Sequence, residues 1–185
     1  MISPPTPSRR PTRLSGGARF KLAALAALLL LSACGQAVPR TQAEEPDAAT
    51  ACVLDGMLLK DFGGPKAQIL YAEGKPDFFC DLIELFTALR APEQRRAASA
   101  VFVQDMGQTD WDHPVGHWID AKRALYVAGS AKKGSMGPTF GAFSSERDAQ
   151  AFVKKEGGKI LRFEQIGADL ASLDGGVMHD TTMSR

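Results

Sequence analysis

Apolar residues fall along this chain in three different rhythms. From Leu22 to Ala33 they run almost unbroken, interrupted only by Ser32, behind Arg9, Arg10, Arg13, Arg19 and Lys21 and with no acid among them. A basic stretch followed by a short apolar run predicts an export signal over residues 1–33. The run is shorter than the roughly 20 residues that cross a bilayer. From Gly35 to Ala51 the pattern disappears into Pro, Gln, Glu, Thr and Ala, with almost nothing to bury. That composition predicts a flexible tether over 34–51. Beyond Cys52 apolar and polar positions alternate at strand and helix spacing, and the folded part is expected there.

The folded part reads as short elements. Leu58–Lys60 is a candidate strand, and Ala67–Ala72 alternates around Ile69 and Tyr71 as a second. Phe78–Cys80 is extended. Asp81-Leu82-Ile83-Glu84 has the spacing of a capping box and opens a helix with Leu82, Leu85, Phe86 and Leu89 on one face, closed by Pro92. Ala100–Asp105 is the next strand. Residues 106–116 are a polar loop. His117–Ile119 and Ala124–Ala128 are candidate strands, and Gly129–Pro138 is a loop carrying Met136. Phe140–Phe143 is extended. Ser144-Ser145 caps a helix that turns Ala149, Phe152 and Val153 inward and stops at Gly157-Gly158. Lys159–Phe163 is a closing strand, and 167–185 is a small, polar tail. Strand, strand, helix, strand occurs twice. This predicts an α+β fold of two related ββαβ modules, 52–107 and 108–166, with a single mixed-sheet domain as the other arrangement.

Leu31-Ser32-Ala33-Cys34 places small residues before a cysteine at the end of the apolar run, the form of a bacterial lipobox. Cys34 is then the lipid-attached first residue of the mature chain. Arg9-Arg10 hints at twin-arginine export. The formal net charge, +1 for the whole chain, falls to −4 when the five signal cations are removed. With no basic patch, nucleic acid is not an expected partner.

Lipidation leaves two thiols, Cys52 and Cys80. Cys52-Val53-Leu54-Asp55-Gly56-Met57 puts a thiol and a thioether on either side of an Asp-Gly turn. These are soft ligands and suit Cu(I). A further ligand could come from Met106, Met136, His113 or His117. Met136, within Gly134-Ser135-Met136-Gly137-Pro138, is either a ligand or an apolar plug between modules. Cys80 is open to three readings: a buried apolar residue, a ligand, or the disulfide partner of Cys52. The disulfide would make the protein a metal-free scaffold. A thiol redox enzyme working through Cys52 is a third possibility. Met178-His179 and Met183 form an accessory soft-ligand tail. Enzyme templates are missing: there is no nucleophile elbow, P-loop, Cys-X-X-Cys or His-Glu-X-X-His. Asp105, Asp110, Asp112 and Asp120, around Trp111 and Trp118, do not have EF-hand spacing and read as turn residues.

Several blocks, in order, resemble the NosL family. They are the lipobox, Asp55-Gly56-Met57, Gly64-Pro65-Lys66-Ala67-Gln68-Ile69, Phe78-Phe79-Cys80-Asp81, Val103-Gln104-Asp105-Met106-Gly107, Trp118-Ile119-Asp120-Ala121, Tyr126-Val127 with Gly129-Ser130, and Met136-Gly137-Pro138-Thr139. The resemblance runs from about Cys34 to Ile166. It implies two related ββαβ modules and a lipoprotein, not an enzyme, that binds one Cu(I). Such a protein passes copper to nitrous oxide reductase and works with that pathway's membrane transporter complex. Carried over by motif, Cys52, Met57 and Met136 are the implied ligands. Some members have a second Cys before Gly-Met; here Asp55 stands in that place. Gly35, after the lipidated residue, lacks the Asp that commonly retains lipoproteins at the inner membrane, which favours the outer one.

Overall fold

The computed structural model describes residues 41–91 and 96–171, all within one compact unit spanning Val38–Arg185. The export signal, Cys34 and the Met178-His179-Met183 tail lie outside the described residues.

The first sheet is antiparallel throughout. It consists of β1 (Ala67–Tyr71), β2 (Asp77–Phe79), β3 (Ala98–Gln104) and β4 (Trp118–Asp120), in the order β2-β1-β3-β4. Every residue of β1 is buried, Gln68 included. A strand covered on both faces needs no alternation, and its one polar side chain needs partners. Gln68 finds them in residue Glu44, whose N–H donates to Oε1 and whose carbonyl accepts from Nε2, each at 2.8 Å. Glu45 adds contacts from its carboxylate to Trp118 Nε1 at 2.7 Å and to the Gly116 N–H at 3.1 Å. The described part of the expected tether is thus hydrogen-bonded to the sheet from Glu44 onwards.

Helix α1 (Leu82–Arg90) lies between β2 and β3 in the chain, with Leu82, Leu85 and Phe86 buried on its inner face. The second sheet, also antiparallel, has the order β8-β5-β9, from β5 (Leu125–Ala128), β8 (Gly141–Phe143) and β9 (Lys159–Arg162). Helix α2 (Glu146–Glu156) packs on it through Ala149, Phe152 and Val153 and is capped by Ser145. Gly157 and Gly158 end it with φ of 76° and 99°. A side chain on Gly158 would meet the Ala128 carbonyl at 2.6 Å, so that position accepts nothing larger. The main core joins both sheets: Ile69, Phe79 and Val103 from the first lie in one cluster with Tyr126, Ala142 and Leu161 from the second. Phe86 sits at its centre, edge-on to Tyr126 and Phe140 with centroids 5.1 and 5.6 Å away.

The α+β class is as expected. The division into two ββαβ modules at residue 108 is not reproduced, because Trp118–Asp120 pairs with β3 and belongs to the first sheet. Gln104, at the end of β3, faces Trp118, so the connection through residues 105–117 folds back as a long hairpin. The Gly129–Pro138 loop contains a small ribbon, β6 (Lys133–Gly134) with β7 (Gly137–Pro138). Leu58–Lys60 is not a strand: Leu58 makes only a single bridge to Ala51, and Leu59–Asp61 is a 3-10 turn.

Candidate metal centre

The turn after Cys52 closes on itself. The Cys52 N–H donates to the Met57 carbonyl at 2.8 Å and the Gly56 N–H to the Cys52 carbonyl at 3.0 Å. Gly56 takes a positive φ of 76°, the conformation the Asp-Gly pair was expected to supply. Asp55 Oδ1 accepts from the Met57 N–H at 2.9 Å. The turn is then fastened to the first sheet by the Val53 N–H, which donates to the Phe78 carbonyl at 2.9 Å. Phe78 is two residues before Cys80, so this bond brings Cys52 alongside Cys80. Both cysteines are buried, and both are free thiols. No disulfide joins them in this structure.

Glu84 supplies the third side. It occupies the first turn of α1, three residues after the cap Asp81, where a capping box would send its carboxyl back to the Asp81 N–H. Asp81 does cap the helix, accepting from the Ile83 N–H at 2.8 Å. Glu84 instead turns inward and places Oε2 3.2 Å from both Cys52 Sγ and Cys80 Sγ. Asp55 Oδ2 lies 3.9 Å from Cys80 Sγ, and Ser135 Oγ lies 3.0 Å from it. Among the described residues, the ligand atoms of Cys52, Asp55, Cys80 and Glu84 all fall within 4.8 Å of one another. Met57 packs against the cluster of Cys52, Leu59 and Cys80.

The charge in this cluster is unevenly divided. The Cys52 thiol is pulled down to about 6, chiefly by the hydrogen bond from the Cys80 thiol and further by the backbone N–H groups of Cys80, Asp55 and Leu54, against the opposing cost of burial. The Cys80 thiol is pushed up, first by that same hydrogen bond and then by burial. The two sulfurs therefore share one proton and hold one negative charge, centred on Cys52. Burial, followed by the hydrogen bond with Cys52, pushes Glu84 up to about 8, so its carboxyl is neutral at pH 7. Beneath Cys80 lies Lys66, whose Nζ donates to the carbonyls of Phe62, Gly63, Gly64 and Cys80 at 2.7 to 3.3 Å. Burial lowers it to about 8, and the neighbouring Cys80, Asp81 and Glu84 act to keep it charged.

These shifts fix the pH dependence of stability. Glu84 has a folded value above its ordinary value of 4.5, so its contribution is full below that pH and is lost as pH rises towards about 8. Cys52 has the opposite sign: its contribution is present above 9.0 and is lost as pH falls through about 6. Glu84→Gln keeps the shape of the neutral acid and removes its titration. The variant's apoprotein is expected to be more stable than wild type at pH 8 by on the order of 1–2 kcal/mol. Its stability should rise from pH 6 to 9, without the fall that Glu84 imposes from about pH 5. Urea titrations across this range check it; a curve parallel to wild type would mean that Glu84 does not titrate as described.

The β6–β7 ribbon reaches the cluster from the other side. Its two-residue tip is Ser135-Met136, so contact between Ser135 and Cys80 brings Met136 to the rim of the site, where it is 55% exposed. The base of the ribbon is held by Trp111 Nε1, which donates to the Lys133 carbonyl at 3.0 Å, and by Thr139 Oγ1, which donates to Asp81 Oδ1 at 2.7 Å. Cys52, Met57 and the segment bearing Met136 are thus brought together. Other candidates are elsewhere. Met106 packs with the α2 cluster, His113 is exposed beside Asp110, and His117 holds a left-handed turn at φ 53°. Glu84 and Ser135 were not singled out by the sequence, and Cys80 was left undecided. The spacing of Glu84 fitted a cap equally well, and Ser135 reaches Cys80 across 55 residues of chain.

A soft cation fits this donor set. The thiol pair offers one thiolate and a second proton to displace, Met57 adds a thioether, and the nearest buried carboxyl is neutral at pH 7 rather than a competing hard anion.

Residues 43–171 match the family model named NosL. The chain is 38% identical over 173 residues to the copper-binding lipoprotein NosL of Stutzerimonas stutzeri, covering 88% of this chain and 90% of that protein. It is 43% identical over 157 residues to the copper-binding lipoprotein NosL of Achromobacter cycloclastes, covering 80% and 79%. The crystal structure of the copper chaperone NosL from Shewanella denitrificans superposes with a TM-score of 0.67 at 38% identity, covering 71% of this chain and 99% of that one.

Proposed function

The chain belongs to the NosL family, and on that premise we propose that it is an exported copper-binding lipoprotein that carries Cu(I) as cargo to nitrous oxide reductase. The observation that carries the metal-binding part is the pair of free, buried thiols of Cys52 and Cys80, one favoured as thiolate, with Met57 packed against them. Cys52, Met57 and Met136 are the assigned ligands, and Cys80 joins them as the second thiol. Ligation to sulfur alone suits Cu(I), which takes few, soft ligands.

The mechanism is ligand exchange, with no substrate transformed. Cys52 and Cys80 hold the ion in a buried position, and Met136 stands at the rim on an exposed ribbon tip. A docking partner meets Met136 first and can displace thioether before thiolate, passing the ion without releasing it to water. The partners in this reading are nitrous oxide reductase and its membrane transporter complex. In this reading the protein sits on the periplasmic face of a membrane, supported by the lipobox ending at Cys34, with the outer membrane favoured by Gly35. Among the described residues no helix is long and apolar enough to cross a membrane.

Anaerobic Cu(I) titration against a chromogenic chelator tests this function: one equivalent should be withheld from the chelator. No withheld copper would end the carrier reading. Met136→Leu refines it. Because Met136 is exposed, leucine there should leave the unfolding midpoint unchanged. Cu(I) affinity should fall roughly tenfold, in the range seen when a supporting metal partner is removed. An unchanged affinity would remove Met136 from the ligand set.

A further inference from the structure

Resting on the carrier reading, we propose that Cys52 and Cys80 are also a reversible disulfide site, formed by exchange with a disulfide and opened by a partner dithiol before copper can enter. The two sulfurs are free and lie within 4.8 Å of each other, bridged by Glu84. Closing them to the bond length of about 2 Å takes less than about 3 Å of sulfur movement, which a side-chain rotation can supply. The movement falls naturally to Cys52, because it lies in a turn whose next residues, Val53 and Leu54, are exposed, while Cys80 sits at the junction of β2 and α1. There is no competing thiol: Cys34 is consumed by lipid, and Cys52 and Cys80 are the only others in the chain. An exported protein meets an oxidising compartment. A chain with two adjacent thiols there is exposed to oxidation whenever it is without its ion.

The exchange balances. Cys52 Sγ, as thiolate, attacks one sulfur of an external disulfide, forming a mixed disulfide and releasing one external thiolate. Cys80 Sγ then attacks Cys52 Sγ, breaking the mixed bond and releasing the second external thiol, which leaves with the proton of Cys80. The two sulfurs lose two electrons and the proton of Cys80, and the external disulfide gains them, its first released thiolate taking a proton from water. Reversal requires a dithiol donor that reduces protein disulfides. The disulfide uses both sulfurs, so the oxidised chain has no thiolate for a soft ion, and metal loading becomes conditional on reduction.

The test uses the full lipidated protein in detergent, with oxidised glutathione as probe. The reduced protein should show two free thiols. After oxidation it should show none, lose two hydrogens in mass and carry no glutathione. The Cys80→Ser variant cannot resolve the intermediate and should retain one glutathione at Cys52. A stable glutathione adduct on the wild type, or two thiols still free, would overturn the proposal. The disulfide form should bind Cu(I) on the order of 100-fold more weakly than the reduced form, with affinity restored by a dithiol. Equal affinity of the two forms would overturn the gating. If the reduced protein itself withholds no copper, the carrier reading fails, while the thiol count and mass still judge the disulfide.

Discussion

Cys52→Ser is expected to lower Cu(I) affinity by on the order of 100-fold or more, beyond the 10- to 100-fold loss typical of an outer hydrogen-bonding partner, while leaving the protein folded. The argument begins with charge. The Cys80 thiol and the backbone N–H groups of Cys80, Asp55 and Leu54 all act to favour an anion at Cys52. Serine keeps the side chain's size but ionises far above any working pH, so these donors face a neutral hydroxyl, and the ion loses its thiolate. Cys80 cannot fully take over: the substitution removes the hydrogen bond with the Cys52 thiolate that chiefly pushes its thiol up, but burial still does, against the opposing contact with the Ser135 hydroxyl. Cys80→Ser should therefore cost less than Cys52→Ser. The competition titration used for wild type reads both. Equal affinity of Cys52→Ser and wild type would remove Cys52 from the ligand set. Full loss on Cys80→Ser with none on Cys52→Ser would reverse the assigned roles.

Much of the fold was written locally. Asp81 and Ser145 announce their helices because a short acceptor side chain followed by apolar residues at helical spacing has few other uses, and both do cap. Gly157-Gly158 stops α2 for a similarly local reason, since positive φ is open to glycine. The errors lie where the decision was made at a distance. Trp118–Asp120 has strand character, but its partner is β3, and no spacing along the chain distinguishes that pairing from one with β5. Gln68 is polar within a strand read as alternating around Ile69 and Tyr71, and it is buried because Glu44, 24 residues earlier, pairs with it.

The site divides in the same way. Cys52 and Met57 could be read because one short turn sets their relation. Cys80 could be seen but not assigned, since its chemistry depends on the Val53–Phe78 bond that brings Cys52 to it. Glu84 was hidden by a spacing that fits two roles. The structure decides between them through burial: a carboxyl turned into the thiol pocket is neutralised and bridges two sulfurs, whereas one turned to the helix end would remain wet. The Met136 segment looked like a loop because Lys133-Gly134 and Gly137-Pro138 are too short and too rich in glycine to resemble strands.

Gly134→Ala is expected to destabilise the apoprotein by about 2–4 kcal/mol, the upper range for forcing extra volume into a closely packed place. A Cβ at that position would lie 2.1 Å from Asp81 Oδ2 and 2.9 and 3.0 Å from Thr139 Cγ2 and Cβ. Asp81 cannot retreat, because its other oxygen holds both the Ile83 N–H at the start of α1 and the Thr139 hydroxyl. Oδ2 itself makes no hydrogen bond of ordinary geometry and is already buried, so there is no solvent into which it can turn. The ribbon must move instead, breaking the Asp81–Thr139 bond and drawing Ser135 away from Cys80. A stability loss should therefore come with weaker Cu(I) binding, although no ligand has been changed. Gly129→Ala is the comparison: it directly follows β5, with φ of 71° and open space around it. Its cost should be confined to left-handed strain, roughly 1 kcal/mol, with copper binding intact. Urea midpoints and chelator competition on both variants separate the two effects. If Gly134→Ala unfolds with wild type and binds copper as tightly, the ribbon is not held against Asp81, and the placement of Met136 at the site loses its support.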